Sequence, residues 1–216
     1  MILQIATPAH DELNFIELML KGGIVMIPIL LLSVAAIYVA VERYLYLRST
    51  VNRDSNFLSK ITRALSSGNI AEAKRYAEDE NSATGKIISA GLDSIGRPMR
   101  EIEALMESAT NIEVAQMERN TGYLGIIAGI APMLGFIGTI TGIIHIFYNI
   151  SLSDNISIGI ISGGLYEKMI TSGTGLGVGI IAYVAYHLLQ LRISRFTLQI
   201  QKDVFDFLRS LQVPAK

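Results

Sequence analysis

Charged residues are absent from three long stretches of the chain. The stretches are residues 22–41, 120–153 and 155–191, and the last is interrupted only by Glu167 and Lys168. About 20 apolar residues are enough for a helix to cross the hydrocarbon core of a membrane. The pattern therefore predicts an all-α membrane protein with three transmembrane helices.

Lysine and arginine residues follow the first and third spans. The short loop between the second and third spans has none, and the N-terminal segment has only Lys21. Because basic segments stay in the cytoplasm, this asymmetry predicts a periplasmic N-terminus and a cytoplasmic C-terminus. The predicted layout is a helical periplasmic segment at 1–21, transmembrane helices at 22–47, 122–148 and 157–191, a cytoplasmic helical domain at 48–121, a short periplasmic loop at 149–156, and a cytoplasmic C-terminal helix at 192–216.

The cytoplasmic segments show helical periodicity. Asn69 is a candidate N-cap for a helix over 70–80, and Ser55 is one for the helix before it. Pro98 is suited to the start of a helix that continues without a break into the second span. We expect that helix to bury the apolar positions Ile102, Leu105, Met106, Ala109 and Ile112. An apolar stripe beyond residue 192 predicts that the third span is likewise extended, so that these helices pack on one another.

Composition narrows the class of function. Charged residues make up 17% of the chain, against about 25% in soluble domains. The net charge of −1 provides no basic excess for nucleic acid, and the absence of cysteine excludes thiol and disulfide chemistry. Three histidines far apart in sequence give no metal-binding pattern, and no Walker A motif is present. We therefore predict no cofactor and no metal, and a protein that is not an ATPase.

Glu167 is the most informative single residue. If the third span begins near residue 156, Glu167 lies about 17 Å along the helix axis, close to the membrane centre. An ionised side chain there costs about 2.5–3.5 kcal/mol, which a proton relay or an ion path commonly offsets. Alternatively, residues 169–191 cross the membrane alone, and Glu167 and Lys168 form an ordinary interfacial ion pair. The apolar, glycine-rich character of residues 155–166 favours burial.

Hydroxyl and glycine residues surround this glutamate. Thr171 and Thr174 share its helical face, Ser172 is adjacent, and Thr139 lies on a small-residue face of the second span. These hydroxyls either line a hydrated path or bond the backbone of their own helices, and composition alone favours the second role. Glycines three or four positions apart predict close helix packing within or between subunits. Those assigned to packing are Gly135, Gly138, Gly142 and Gly175.

Two motifs resemble signatures of the MotA/TolQ/ExbB proton channel family. Residues 131–139 read APMLGFIGT, which is similar to the second-span signature A-P-x-x-G-x-x-G-T. Residues 165–176 read LYEKMITSGTGL, which resembles the third-span signature, a membrane-embedded Glu followed by hydroxyl residues and Gly-Leu. The predicted helix layout matches as well, so the resemblance covers nearly the whole chain, although the cytoplasmic helices match in layout only.

The resemblance implies an ExbB-like subunit of the bacterial inner membrane, powered by the proton motive force. Such subunits form a homo-oligomer, a pentamer, around a dimer of ExbD-like single-span subunits, each with a membrane Asp. They often energise outer-membrane transport through TonB. Carried onto this chain, Thr139, Glu167 and Ser172 line the ion path, where Ser172 replaces the usual Thr. We assign Thr171 and Thr174, on the same helical face as Glu167, to the lining of the path as well. Lys168 is unexpected, since small or apolar residues are commoner beside the glutamate.

Other functions stay open at this point. A TolQ-like or MotA-like stator could drive another machine, and the motifs do not distinguish H⁺ from Na⁺. A structural membrane scaffold without ion conduction would carry Glu167 and Lys168 at the interface. An intramembrane hydrolase would need Ser172 paired with His187, but the G-x-S-x-G motif is missing.

Overall fold

The computed structural model describes residues 22–152 and 158–212. Within these ranges the chain forms seven helices and no strand. The helices are α1 (Met26–Val51), α2 (Phe57–Ser66), α3 (Ile70–Asp79), α4 (Ala83–Asp93), α5 (Met99–Glu118), α6 (Thr121–Leu152) and α7 (Ile158–Gln212). Three runs of helix are long and apolar enough to cross a membrane, namely α1, α5 with α6, and α7. The predicted all-α protein with three spans is therefore confirmed, whereas the predicted segment at 1–21 lies outside the described residues.

The prediction of an unbroken helix from Pro98 into the second span is wrong at one point. Helix α5 ends at Glu118 and α6 begins at Thr121, because Asn120 adopts a left-handed conformation with φ of 66°. Asparagine tolerates this region better than most residues. The Thr121 hydroxyl donates to the Glu118 carbonyl at 2.7 Å and so satisfies an acceptor at the helix end. Apolar periodicity cannot detect such a break, since the spacing resumes on the other side.

The described chain divides into two compact units. The first unit contains the described residues up to Ala35 and those of Ile126–Ile181, which form most of α6, the first part of α7 and the beginning of α1. Here α6 and α7 run antiparallel, and their outward side chains are mostly large and apolar. The most exposed of these are Met133, Phe136, Ile144, Phe147, Leu152, Ile158, Met169 and Ile181.

The second unit contains Ala36–Gly125 and the described residues from Ala182 onward. Its core is made of large side chains that are fully or almost fully buried, including Phe57, Ile61, Ile87, Ile88, Leu92, Met106, Met117 and Phe207. Two ion pairs with a buried carboxylate join its elements, Arg53 with Asp203 and Lys86 with Glu113. In both pairs the carboxylate is buried and paired, as a charge withdrawn from water requires.

Some of the local features predicted for the second unit are present and others are not. The Asn69 side chain accepts a hydrogen bond from the Glu72 N–H at 3.1 Å, as expected of the predicted N-cap. Ser55 is not the cap of α2, because that helix starts one residue later, after Asn56. On α5, Ile102 and Met106 are buried as expected, but Leu105 and Ile112 are exposed. Polar Thr110 and Glu113 take the inward positions, which they can do because Thr110 bonds the Met106 carbonyl and Glu113 pairs with Lys86.

Candidate functional site

Glycine brings the backbones of α6 and α7 into direct contact. A methyl group added at Gly175 would lie 2.6 Å from the Ala131 carbonyl oxygen and 3.0 Å from the Gly135 Cα. One added at Gly135 would lie 3.1 Å from the Ser172 Cα. Backbone cannot move aside as a flexible side chain can, so an added methyl group would force the helices apart at Gly175 and would be tightly crowded at Gly135. The two helices approach as small residues in membrane helices allow.

The same contact continues along α6 towards its C-terminus. A Cβ at Gly138 would meet Thr171 Cγ2 at 2.9 Å, and one at Gly142 would overlap the aliphatic carbons of Lys168. All four glycines singled out in the sequence thus lie against α7 or, for Gly175, against α6. In contrast, an added Cβ at Gly129, Gly163, Gly173 or Gly177 would meet no described atom within 4 Å.

Glu167 and Lys168 form an ion pair beside this contact. The Lys168 Nζ lies 3.2 Å from Glu167 Oε1, and the side chains are 21% and 39% exposed respectively. The lysine stem crosses α6 at Gly142, and its ammonium lies close to Gly23, which has a positive φ of 74°. The pair therefore lies against α6, α7 and the residues that directly precede α1, with the Lys168 side chain less exposed than that of Glu167.

Apolar surface extends past the pair along the α6–α7 hairpin. Glu167 lies nine residues after the start of α7 at Ile158, which corresponds to about 14 Å of helix. Exposed apolar side chains continue over this length, among them Phe147 and Leu152 on α6. Helix α1 begins level with the pair, and among the described residues those of the hairpin continue beyond it.

The threonine hydroxyls near the pair bond backbone carbonyls. Thr139 donates to Gly135 O at 3.2 Å and to Lys168 O at 3.4 Å, and Thr174 donates to Ile170 O at 2.9 Å. Thr171 is fully buried and donates to Gly22 O at 2.7 Å, which ties the segment before α1 to α7. The structure thus brings Thr139, Thr171 and the ion pair together, and the buried Thr171 faces the interior of the subunit.

A cavity of about 400 Å³ lies beside the ion pair. Polar side chains from α6 and α7 line it, namely Thr141, His145, Asn149, Glu167 and Lys168. The three α6 residues recur every four positions, so they share one helical face. Sequence reasoning missed this cluster because it considered His145 as a possible metal ligand and not together with its neighbours on α6. The four-residue spacing of Thr141, His145 and Asn149 along α6 was the signal that could have revealed it.

The residues of the alternative functions have other neighbours. Ser172 packs its backbone against Gly135, whereas His187 lies against the rings of Tyr183 and Tyr186, with centroids 4.3 and 5.2 Å away. Among residues 22–152 and 158–212, no group of three or more His, Asp or Glu side chains could hold a metal ion.

Comparison with known proteins identifies the family of this chain. Residues 79–202, more than half of the chain, match the MotA/TolQ/ExbB proton channel family, and the chain belongs to that family. It is 32% identical over 176 residues to a putative biopolymer transport protein, ExbB-like 1, of Synechocystis, covering 79% of this chain and 68% of that protein.

Two further relatives are similar over different lengths. A putative ExbB homologue of Methanothermobacter thermautotrophicus is 31% identical over 82% of this chain and 63% of its own. The Tol-Pal system protein TolQ of Haemophilus influenzae is 25% identical over 91% of both chains. The family and the three apolar helices together indicate a multi-pass protein of the bacterial inner membrane. The chain is a stator-like ion channel subunit, and its family is one of transport subunits rather than enzymes.

Proposed function

We propose that this chain is a proton-conducting stator subunit that energises TonB-dependent outer-membrane transport. Identical copies, five by family resemblance, surround a dimer of ExbD-like single-span subunits whose membrane Asp faces the chain. The N-terminus is periplasmic and the C-terminus cytoplasmic. Proton flow down its gradient then drives movement of one ring against the other, and a TonB-like protein passes on the work.

The observation that carries this proposal is the Glu167–Lys168 pair within an apolar hairpin. Apolar side chains are exposed on both sides of it, and about 14 Å of α7 lies beyond it. A carboxylate in such surroundings is costly, and such residues commonly mark ion paths. The ion path on this proposal is lined by Glu167, Thr139, Ser172 and Thr174, while Thr171 holds the segment before α1 in place.

The outward glycines support a ring of identical subunits. Gly129 on α6 and Gly163, Gly173 and Gly177 on α7 have open space around them within the described chain. Small residues on a membrane helix permit close approach of another helix. The exposed apolar side chains between them would contact neighbouring subunits, the single-span partner or lipid.

Replacing Glu167 tests the proposal. Glu167→Gln removes the charge at nearly constant volume, and we expect assembly to be retained while transport-dependent growth is lost. Glu167→Asp withdraws the carboxylate by one methylene, so partial loss is expected. Growth at matched protein level is the measurement, and Glu107→Gln, on the exposed face of α5, is the matched control.

A structural scaffold predicts a different result. If the pair is an ordinary exposed one, it is worth at most about 1 kcal/mol, and every Glu167 variant should grow normally. Normal growth of Glu167→Gln would therefore refute the role of this residue in conduction.

A TolQ-like role is the second candidate, because the TolQ relative matches 91% of both chains. The stator would then serve a Tol-Pal-type machine while the ion path stays the same. Deleting the chain's gene and measuring uptake of substrates that need TonB-dependent transporters separates the two roles. Loss of uptake supports the ExbB-like role. Normal uptake supports the TolQ-like role if replacing Glu167 still produces another defect of the cell envelope.

A further inference from the structure

The Lys168 side chain lies in a space that two glycines leave open. Its stem lies over Gly142, where any side chain would overlap its carbons. Its ammonium lies 3.2 Å from Glu167 Oε1 and next to Gly23, where a Cβ would be 3.3 Å away. Lysine is long and flexible, yet only 21% of this side chain is exposed. Two glycines therefore leave room for the lysine beside its neighbouring carboxylate.

We propose that Lys168 is the resident counter-cation of Glu167, and that the neutral pair keeps metal cations such as Na⁺ out of the ion path. This inference rests on the proposed function. The cavity is lined by one acidic residue, Glu167, one lysine, Lys168, and one histidine, His145. With the lysine in place, the carboxylate offers no net negative charge to a mobile cation.

The size of the effect follows from Coulomb's law. A metal ion bound to the other carboxylate oxygen would lie about 4–6 Å from the ammonium. At an effective dielectric constant of about 20, repulsion over that distance disfavours any added positive charge roughly 100- to 1,000-fold. The repulsion lowers the occupancy of the site by cations in general, and the discrimination between a metal ion and a proton comes from the ligand shell that a metal ion needs.

The hydrogen bonds around the pair also disfavour a metal ion. Hard cations require several oxygen ligands. The carbonyl oxygens of Gly22, Glu167 and Lys168 already accept hydrogen bonds from Thr171 and Thr139. A proton needs no such shell, because hydroxyl groups both donate and accept hydrogen bonds and can pass it between single oxygens.

Three variants separate charge from shape. Lys168→Met keeps an unbranched chain over Gly142 but leaves Glu167 without a cation. The double variant Glu167→Gln with Lys168→Met removes both charges, and Lys168→Arg keeps both. The complex that copurifies with each full-length variant is reconstituted into liposomes. Uptake of radioactive Na⁺ and of protons is measured in parallel under an imposed membrane potential, and native mass spectrometry checks assembly.

We expect no Na⁺ uptake above protein-free liposomes for the wild type, Lys168→Arg and the double variant. Lys168→Met should take up Na⁺, with an increase in site occupancy of roughly a hundredfold. The inference would be overturned if the wild type takes up Na⁺, if every variant takes it up, or if no variant does. Absence of both proton and Na⁺ uptake in the wild type would instead refute the proposed function.

A measurement on the wild type keeps the inference testable if Lys168→Met does not assemble. A ligand that binds the folded protein raises its unfolding temperature with concentration. Replacing choline chloride by sodium chloride at equal ionic strength should leave the Tm of the purified complex unchanged. A Tm that rises with Na⁺ would show a metal site and contradict the proposed role of Lys168.

Discussion

The helices of the first unit touch through glycine, whereas those of the second unit touch through large side chains. Between α6 and α7 an added methyl group at Gly175 would collide with backbone. In the second unit, Phe207 and Met106 are fully buried and both lie within 3 Å of the position of a Cβ at Gly91. In lipid the hydrophobic effect does not drive helices together, so close backbone packing takes its place. Outside lipid, buried apolar area supplies most of the stability.

This difference predicts that the largest single effect lies in the second unit. Phe207→Ala removes a fully buried ring, and such a truncation costs about 3–5 kcal/mol. Phe205→Ala, on the same helix but 66% exposed, should cost less than about 0.5 kcal/mol. Thermal unfolding of the purified protein in detergent measures both. Equal effects at the two positions would show that the second unit does not depend on this core.

Much of the second unit could be predicted from the sequence because capping residues and apolar periodicity are local features of the chain. Asn69 was identified as an N-cap from residue type and position, and the buried stripe of α7, including Phe207, from its periodicity. Leu105 and Ile112 were misplaced because periodicity finds an apolar face but not which residues another helix covers. The burial of Thr110 and Glu113 could be expected only once their partners, the Met106 carbonyl and Lys86, were known.

Some residues of the candidate site were predictable from the sequence, but the contacts between them were not. The motifs singled out Glu167, Thr139 and the packing glycines. That Lys168 lies over Gly142 depends on the register between α6 and α7, and a local pattern does not contain this register. The cavity at His145 depends on the same register. Long-range side-chain contacts of this kind follow from the fold rather than from spacing along one helix.

A smaller effect is expected at the glycine contact of the first unit. Gly175→Ala places a methyl group 2.6 Å from the Ala131 carbonyl oxygen, and forced overpacking costs about 1–3 kcal/mol. Gly173→Ala, two positions away with no neighbour within 4 Å, should be neutral or up to about 1 kcal/mol stabilising, because alanine favours helix. The midpoint of denaturant unfolding in detergent is the measurement.

Assembly state completes the glycine comparison. If Gly173→Ala leaves the subunit folded but reduces the ring to smaller species in native mass spectrometry, that face belongs to the contact between subunits. If Gly175→Ala is as stable as Gly173→Ala, the helices of the first unit are not held by backbone contact.

The smallest effect is expected at an exposed ion pair of the second unit. The Lys60 ammonium, 2.5 Å from Asp54, together with the Asn56 N–H, lowers the pKa of the Asp54 carboxyl. A group whose pKa is lowered on folding stabilises the protein above its unfolded pKa, about 3.9 for Asp, and that contribution is lost as pH falls through the folded value. Both side chains are exposed, so screening leaves little at neutral pH. Asp54→Asn should therefore leave the Tm at pH 7 unchanged, and it should flatten the decline of the Tm with falling pH only below about pH 4.

Asp203→Asn, which breaks the buried pair with Arg53, should lower the Tm already at pH 7. Equal Tm values of the two variants at pH 7 would contradict this distinction between an exposed and a buried pair.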